Sequence, residues 1–187
     1  MTGIMMKICI GGLSGSGKTT LGELLAEELK IEHITKSRTG TFAAMMHDVK
    51  EGRTKGLARN ELSNPKYIKR FDKEIVRLAK GKDCVITTWL GSWMVKDATL
   101  RVWLNASPDE RARRIAERTG TSLTKARRRM AIKDRIAISD FKKTYGIDVN
   151  DHQIFDVELN TERLDSRASV AVISMLAMLK ENNGNKW

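Results

Sequence analysis

Lys7-Ile8-Cys9-Ile10-Gly11-Gly12-Leu13-Ser14-Gly15-Ser16-Gly17-Lys18-Thr19-Thr20 decides the fold. A β-branched apolar run ends in glycines, and Leu21, Leu24, Leu25 and Leu29 follow at helical spacing. This predicts a strand, a tight turn and an amphipathic helix over about 18–30. From Gly12 to Thr19 the turn fits G-x-x-x-x-G-K-[ST] at every position, between a strand and a helix as that motif requires. Gly15 and Gly17 allow the backbone to wrap so that successive N–H groups point inward at an anion. The helix N-terminus turns its positive end to the same place. Gly12, Leu13, Ser14, Gly15, Ser16, Gly17, Lys18, Thr19 and Thr20 therefore form a candidate cradle for a nucleoside triphosphate. Lys18 is the cation expected to reach the β- and γ-phosphates, and the Thr19 hydroxyl is the expected Mg²⁺ ligand.

Working outward, His33 to Thr35 is a short strand candidate, and Phe42, Met45, Met46 and Val49 suggest a helix broken over 52–56. Pro65 opens a helix in which Tyr67, Phe71, Ile75 and Leu78 share a face. Residues 83–88 and 100–104 read as buried strands. Ser107 can cap the next helix, with Pro108 in its first turn and Glu110 completing a capping box. That helix stops near Gly120. Ser122 caps a long polar helix carrying Leu123, Met130, Phe141 and Tyr145, which Gly146 ends. Residues 155–159 alternate like a strand, and the last helix runs over about 166–181 with Val172, Leu176 and Leu179 inward, leaving 182–187 as a frayed tail. Strands alternating with helices predict a mostly parallel sheet covered on both faces.

The chain has 187 residues with 34 Lys+Arg against 23 Asp+Glu, a net charge of +11. At 41% hydrophobic residues and two prolines it is neither disordered nor collagen-like. No apolar run approaches the roughly 18 residues that cross a bilayer. Met1 to Met6 is too short for a signal peptide, and Cys9 and Cys84 sit in strand-like runs. The expectation is a reduced, cytoplasmic protein with no membrane partner, a monomer or weak homodimer. His33, His47 and His152 share no metal spacing, Met45-Met46 reads as core filling, and Asp148 and Asp151 suit turns.

The positive charge concentrates between Arg111 and Arg135. Arg111, Arg113, Arg114 and Arg118 lie on one helix, and Arg127, Arg128, Arg129, Lys133 and Arg135 on the next. Phosphoryl transfer needs cations over the equatorial oxygens and water kept out, which a lid of such helices supplies. The plainer reading is a solvated face, salt-bridged to Glu110, Glu117 and Asp134. With no guanine-reading tetrapeptide and a chain short for a motor core, the pattern favours a small kinase. Arg129, Lys133 and Arg135 are then the candidate catalytic lid cations, and Arg114 and Arg118 contact the triphosphate. A nucleotide-gated, RNA-binding module without turnover is the competing reading. It is motivated by the net charge and opposed by an aromatic content of 5%.

GGLSGSGKTTLGELLAEEL, WLNASPDERARRIAERTG and YGIDVNDHQIFDVELNT, with the spacing between them, resemble the archaeal type of cytidylate kinase in the nucleoside monophosphate kinase family, from Lys7 to about Thr161. The resemblance implies an α/β P-loop NTPase fold in three layers, a five-stranded parallel sheet with helices on both faces and a helical lid. It implies a single kinase domain over 1–187, an acceptor-binding region at 31–80 and a lid insertion at 119–146. It also implies transfer of the γ-phosphoryl group of ATP to CMP or dCMP with Mg²⁺, small-molecule nucleotides being the partners.

The chain departs from that family on the acceptor side. Thr35-Lys-Ser-Arg-Thr-Gly40 stands where an acidic residue and an Arg are usual after the second strand. Thr87-Thr88-Trp89 stands where acidic-Gly-Arg is usual after the third, and Asp140-Phe141 replaces an Arg-aromatic pair in the lid. The acceptor pocket is then rebuilt, with Arg38, Arg53 and Arg59 as a phosphate clamp and Trp89 or Trp93 stacked on a base. The plainer reading has the two tryptophans packing against the sheet edge. The altered segment after the third strand separately keeps open a kinase with a different small-molecule acceptor.

Overall fold

A computed structural model describes residues 5–40 and 65–182, without the side chains of Arg38 and 65–67. The proposed helix around Phe42 to Val49, Arg53, Arg59, His47 and the tail at 183–187 lie outside the described residues, as does the Arg38 side chain.

β1 (Lys7–Gly12), β2 (Glu32–Thr35), β3 (Cys84–Thr87), β4 (Leu100–Asn105) and β5 (Val157–Asn160) form one parallel sheet in the order β2-β3-β1-β4-β5. β1 is central, with Ile8 opposite Val85 of β3 and Leu100 of β4. Its residues are buried on both sides, as expected when helices cover both faces of a parallel sheet. Alternation then divides the core. Ile8 and Ile10 join Leu21 and Leu25 of α1 (Lys18–Leu29) and Ile173 of the final helix, while Cys9 faces Ile34, Ile75, Ile86 and Val95. Burying each such aliphatic side chain contributes about 1.5–3 kcal/mol.

α2 (Pro65–Leu78), α3 (Gly91–Met94), α4 (Pro108–Thr119), α5 (Leu123–Tyr145) and α6 (Ser166–Asn182) complete the described chain. β1 leads to β2 and β3 on one side of itself, and the chain then crosses to β4 and β5 on the other. That reversal opens a crevice at the C-terminal ends of the strands, the usual ligand position in such sheets.

Several local expectations need correction. The capping box at α4 is only half formed: Ser107 Oγ accepts from the Glu110 amide at 3.2 Å. The Ser107 amide and hydroxyl instead donate to Glu162, at 3.0 and 2.6 Å. Glu110 is turned away toward Arg113 and Arg114. In α6 the fully buried residues are Ser169, Ile173, Ser174 and Ala177, whereas Leu179 is exposed. Val172 and Leu176 pack against the core as expected but are only partly buried, so of the three leucine and valine positions expected inward Leu179 alone fails. β5 begins at Val157, and the Asp156 carboxylate just before it accepts from the Arg101 amide at 2.7 Å. Leu24 and Leu123 are exposed. The short α3 had no sequence expectation. Asp148 and Asp151 do close turns, accepting from the Asn150 and Gln153 amides. Cys9 and Cys84 are free buried thiols.

Candidate active site

Gly17 caps α1 with φ +96° and no side-chain cap, so the amides of Lys18, Thr19 and Thr20 keep no helical partner. Just before it Gly15 takes φ +80°. A Cβ there would lie 2.7 Å from the Arg111 carbonyl oxygen, so the loop passes too close to α4 for any other residue. The Ser16 amide donates back to the Leu13 carbonyl at 3.3 Å. The amides left over at the helix start, with the dipole behind them, form an anion site.

Lys18 Nζ folds back over the loop. It donates to the Leu13 carbonyl at 2.8 Å and lies 5.6 Å from the centre of the Trp89 ring. Burial, and next the neighbouring Lys133 ammonium, pull its pKa down to about 7, with Asp134 the carboxylate that most opposes the fall and Arg111 and Arg118 adding to it. Lys36, on the turn after β2 (Lys36–Arg38), is also held below the ordinary lysine range by burial and by Lys133. Its ammonium sits 4.4 Å from the Phe71 ring centre. The Lys133 charge thus contributes to lowering both lysines, one on the loop and one after β2.

The arginines divide by function. Arg111 is buried behind the loop, where Nη1 contacts Asp134 Oδ2 at 2.6 Å and the Ser14 carbonyl at 2.9 Å. Arg114 holds Thr161 through its hydroxyl and carbonyl at 2.8 and 2.7 Å, and the Thr161 hydroxyl donates to Ser16 O at 3.1 Å. Arg114 therefore braces the loop through Thr161 and passes beside Gly17. Arg113 pairs with Glu110 and Glu117 on an exposed face, and Arg127 pairs with Asp109. Hydrogen bonds from Arg113 and Arg114 hold the Glu110 carboxyl at about 2. Arg118, Arg128, Arg129, Lys133 and Arg135 are exposed and have no ion pair among the described residues. Arg129 and Lys133 share a flank of α5 at i, i+4. Arg135 falls on the other flank, with Arg127.

Trp89 lies between Lys18 and α5, with its ring 5.7 Å from Phe141. Trp93 instead packs edge-on against Trp103 and Phe155 at 6.4 and 5.2 Å, so the two tryptophans occupy separate environments. Asp72 of α2 accepts from the Tyr145 hydroxyl at the end of α5, at 2.7 Å. Burial raises the Asp72 carboxyl above the usual range, opposed by Tyr145 and Lys36. Sequence reading missed Thr161, Asp72 and Lys36, and took Asp134 only as a surface partner. For Asp134 a signal was present, because it continues the spacing of Ala126 and Met130.

ATP and Mg²⁺ fit this donor set. The orphan amides and Lys18 suit a triphosphate, and the Thr19 hydroxyl offers the metal one oxygen. No cluster of three or more acidic, His or Cys side chains suited to a metal occurs among the described residues. The other metal ligands would be phosphate and water oxygens, as is usual for Mg²⁺ on a nucleotide. Among the described residues, no helix is long and apolar enough to cross a membrane.

The crystal structure of shikimate kinase from Bacteroides thetaiotaomicron superposes with a TM-score of 0.59 at 19% identity, covering 92% of this chain and 98% of that one. The likeness establishes the P-loop kinase fold. Cytidylate kinase of Pyrococcus horikoshii is 31% identical over 171 residues, 89% of this chain and 85% of its own length. Cytidylate kinase of Archaeoglobus fulgidus is 32% identical over 182 residues, 94% and 97% of the two chains. The model of the cytidylate kinase-like family matches residues 7–163, from the first residue of β1 to just past Thr161, and so takes in the phosphate loop, the paired basic helices and the threonine that ties Arg114 to the loop. The chain belongs to the cytidylate kinase-like family.

Proposed function

We propose that this protein transfers the γ-phosphoryl group of ATP to CMP, and to dCMP, giving ADP and the nucleoside diphosphate. The observation that carries the reading is the phosphate loop itself, with unpartnered amides at the start of α1 and Lys18 Nζ folded back over the Leu13 carbonyl, in a chain of the cytidylate kinase-like family. An oxygen of the acceptor's phosphate attacks the γ-phosphorus, the bond to the β,γ-bridging oxygen breaks, and ADP departs with that oxygen. No covalent enzyme intermediate is needed.

The orphan amides of Lys18 to Thr20 hold the donor in line, and Lys18 with Lys133 neutralises charge that spreads over the equatorial oxygens. Mg²⁺, carried on the Thr19 hydroxyl and the nucleotide, would screen the β- and γ-phosphates. Arg129, Arg135 and Arg118 belong to the same lid field, and Arg114 acts through Thr161. Residues 119–146 serve as the lid and 31–80 as the acceptor region, with Arg38, Arg53 and Arg59 as clamp candidates. Trp89 is the better placed of the two tryptophans to meet an acceptor base, because it adjoins Lys18. The enzyme works in the cytoplasm as a monomer or weak homodimer.

A coupled assay of ADP release across CMP, dCMP, UMP and AMP tests the reading. The expected result is turnover with CMP well above the acceptor-free rate. No increase with any monophosphate would overturn it, and turnover with a non-nucleotide alcohol or acid alone would transfer the donor chemistry to another acceptor.

A further inference from the structure

One face of α5 carries Ala126, Met130 and Asp134 at intervals of four, all buried, so a carboxylate ends an otherwise apolar stripe. It is matched by Arg111 of α4, itself 6% exposed. The pair encloses one residue of the phosphate loop. Asp134 Oδ1 accepts from the Ser14 amide at 3.3 Å, and the Arg111 Nη1 that contacts Asp134 Oδ2 at 2.6 Å also donates to the Ser14 carbonyl at 2.9 Å. Both main-chain polar groups of Ser14 are thereby held, one by each helix of the basic pair.

A buried ion pair adds little to stability compared with apolar side chains of the same volume, while fixing geometry closely. Here the fixed geometry relates the loop to α5, and the next residue back along that helix is Lys133. We propose that Asp134 is a positioning residue for phosphoryl transfer, clamping α5 to Ser14 through Arg111 so that Lys133 stands over the phosphate held by the loop. The inference rests on the kinase reading above.

The test uses the full chain as the parent, as Asp134→Asn, and as the double variant Arg111→Met/Asp134→Leu, which replaces the pair by apolar bulk. Thermal unfolding, steady-state kinetics and amide exchange with and without ATP and Mg²⁺ are measured on each. The double variant leaves no buried charge, but the Ser14 amide and carbonyl lose these partners, so it should melt below the parent while staying folded at the assay temperature. Its kcat should nevertheless fall about 100-fold, the scale of losing one preorganised donor, while the KM for ATP stays within about threefold. The Ser14 amide should exchange at least about tenfold faster, because its acceptor is gone.

A folded double variant with kcat within about twofold of the parent overturns the proposal. So does a loss of activity in Asp134→Asn that follows its unfolded fraction alone. The exchange measurements separate this inference from the kinase reading, because they need no acceptor. In the parent, ATP should slow exchange across residues 123–135, and in the double variant that coupling should vanish. If coupling persists, the clamp is wrong even where CMP is a substrate. If it vanishes, the clamp stands even where CMP is not.

Discussion

Replacing Lys18 by Met should make the unliganded protein more stable and nearly inactive. In the fold the ammonium falls from the ordinary 10.5 to about 7, first by burial and then by Lys133. At about 1.36 kcal/mol for each pH unit, that span bounds the penalty for folding with Lys18 charged at about 4–5 kcal/mol. Partial contact with water returns part of it, and the variant loses the bond to the Leu13 carbonyl and the approach to Trp89, each worth about 1 kcal/mol. A net gain of about 1–2 kcal/mol remains at neutral pH, or about 2–8 °C in Tm for a chain of this size. The sign follows from proton counts. Between about pH 7 and 10.5 the unfolded chain holds the Lys18 proton and the folded one has released it, so the parent's stability rises with pH across that window. The variant's advantage is therefore greatest below pH 7 and disappears above about 10.5. Paired melting curves from pH 6 to 10 without nucleotide read this directly, while kcat should fall about 10²–10³-fold. A Tm difference that is negative at pH 7, or flat across the range, would refute the account of Lys18 as a lysine strained by its surroundings.

Gly15→Ala forces a Cβ to 2.7 Å from the Arg111 carbonyl at a positive φ, and should lower stability by about 2–4 kcal/mol, read by urea unfolding. Tyr145→Phe leaves the buried Asp72 carboxylate without its hydroxyl donor and should destabilise by about 1–3 kcal/mol. That loss should be larger at pH 7.5 than at pH 4, because the Tyr145 bond is what restrains the rise of the Asp72 pKa, and melting curves at the two pH values check it. Trp89→Leu should raise the acceptor KM about tenfold and leave the ATP KM within about threefold if the ring meets the base. Equal rises in both constants would mean that Trp89 only packs Lys18 against Phe141.

The parts of the fold readable from sequence are those whose signal is contiguous. β1, the loop and α1 are one unbroken pattern, and β3 and β4 are short apolar runs bounded by polar residues. Where the deciding partner lies far along the chain, local rules misled. Ser107 followed by Glu110 satisfies a capping box, but Glu162 takes the Ser107 amide from 55 residues away and leaves Glu110 for two arginines. In α6, apolar residues occur all round the helix, so hydrophobicity alone gives no unique inward face. Ser169, Ser174 and Ala177 are buried there, and small side chains let a helix pack close to its neighbours.

The same distinction governs the site. Nine neighbouring positions make up the candidate donor cradle, whereas the candidate acceptor residues among those described come from the turn after β2, from α2, from just past β3 and from α5. No spacing rule links Lys36, Asp72, Trp89 and Lys133. The substitution after β3 sharpens the point, because two hydroxyls stand where a carboxylate was expected. The Thr87 hydroxyl is engaged by His33 at 2.8 Å, and that of Thr88 is buried without a protein partner among the described residues. Neither carries negative charge, so the carboxylate with the strongest pull on Lys18 comes instead from α5, as Asp134. In sequence that residue is one acid among many in a basic helix. In the fold it is buried against the loop, joined to the Ser14 amide by a contact between residues 120 positions apart.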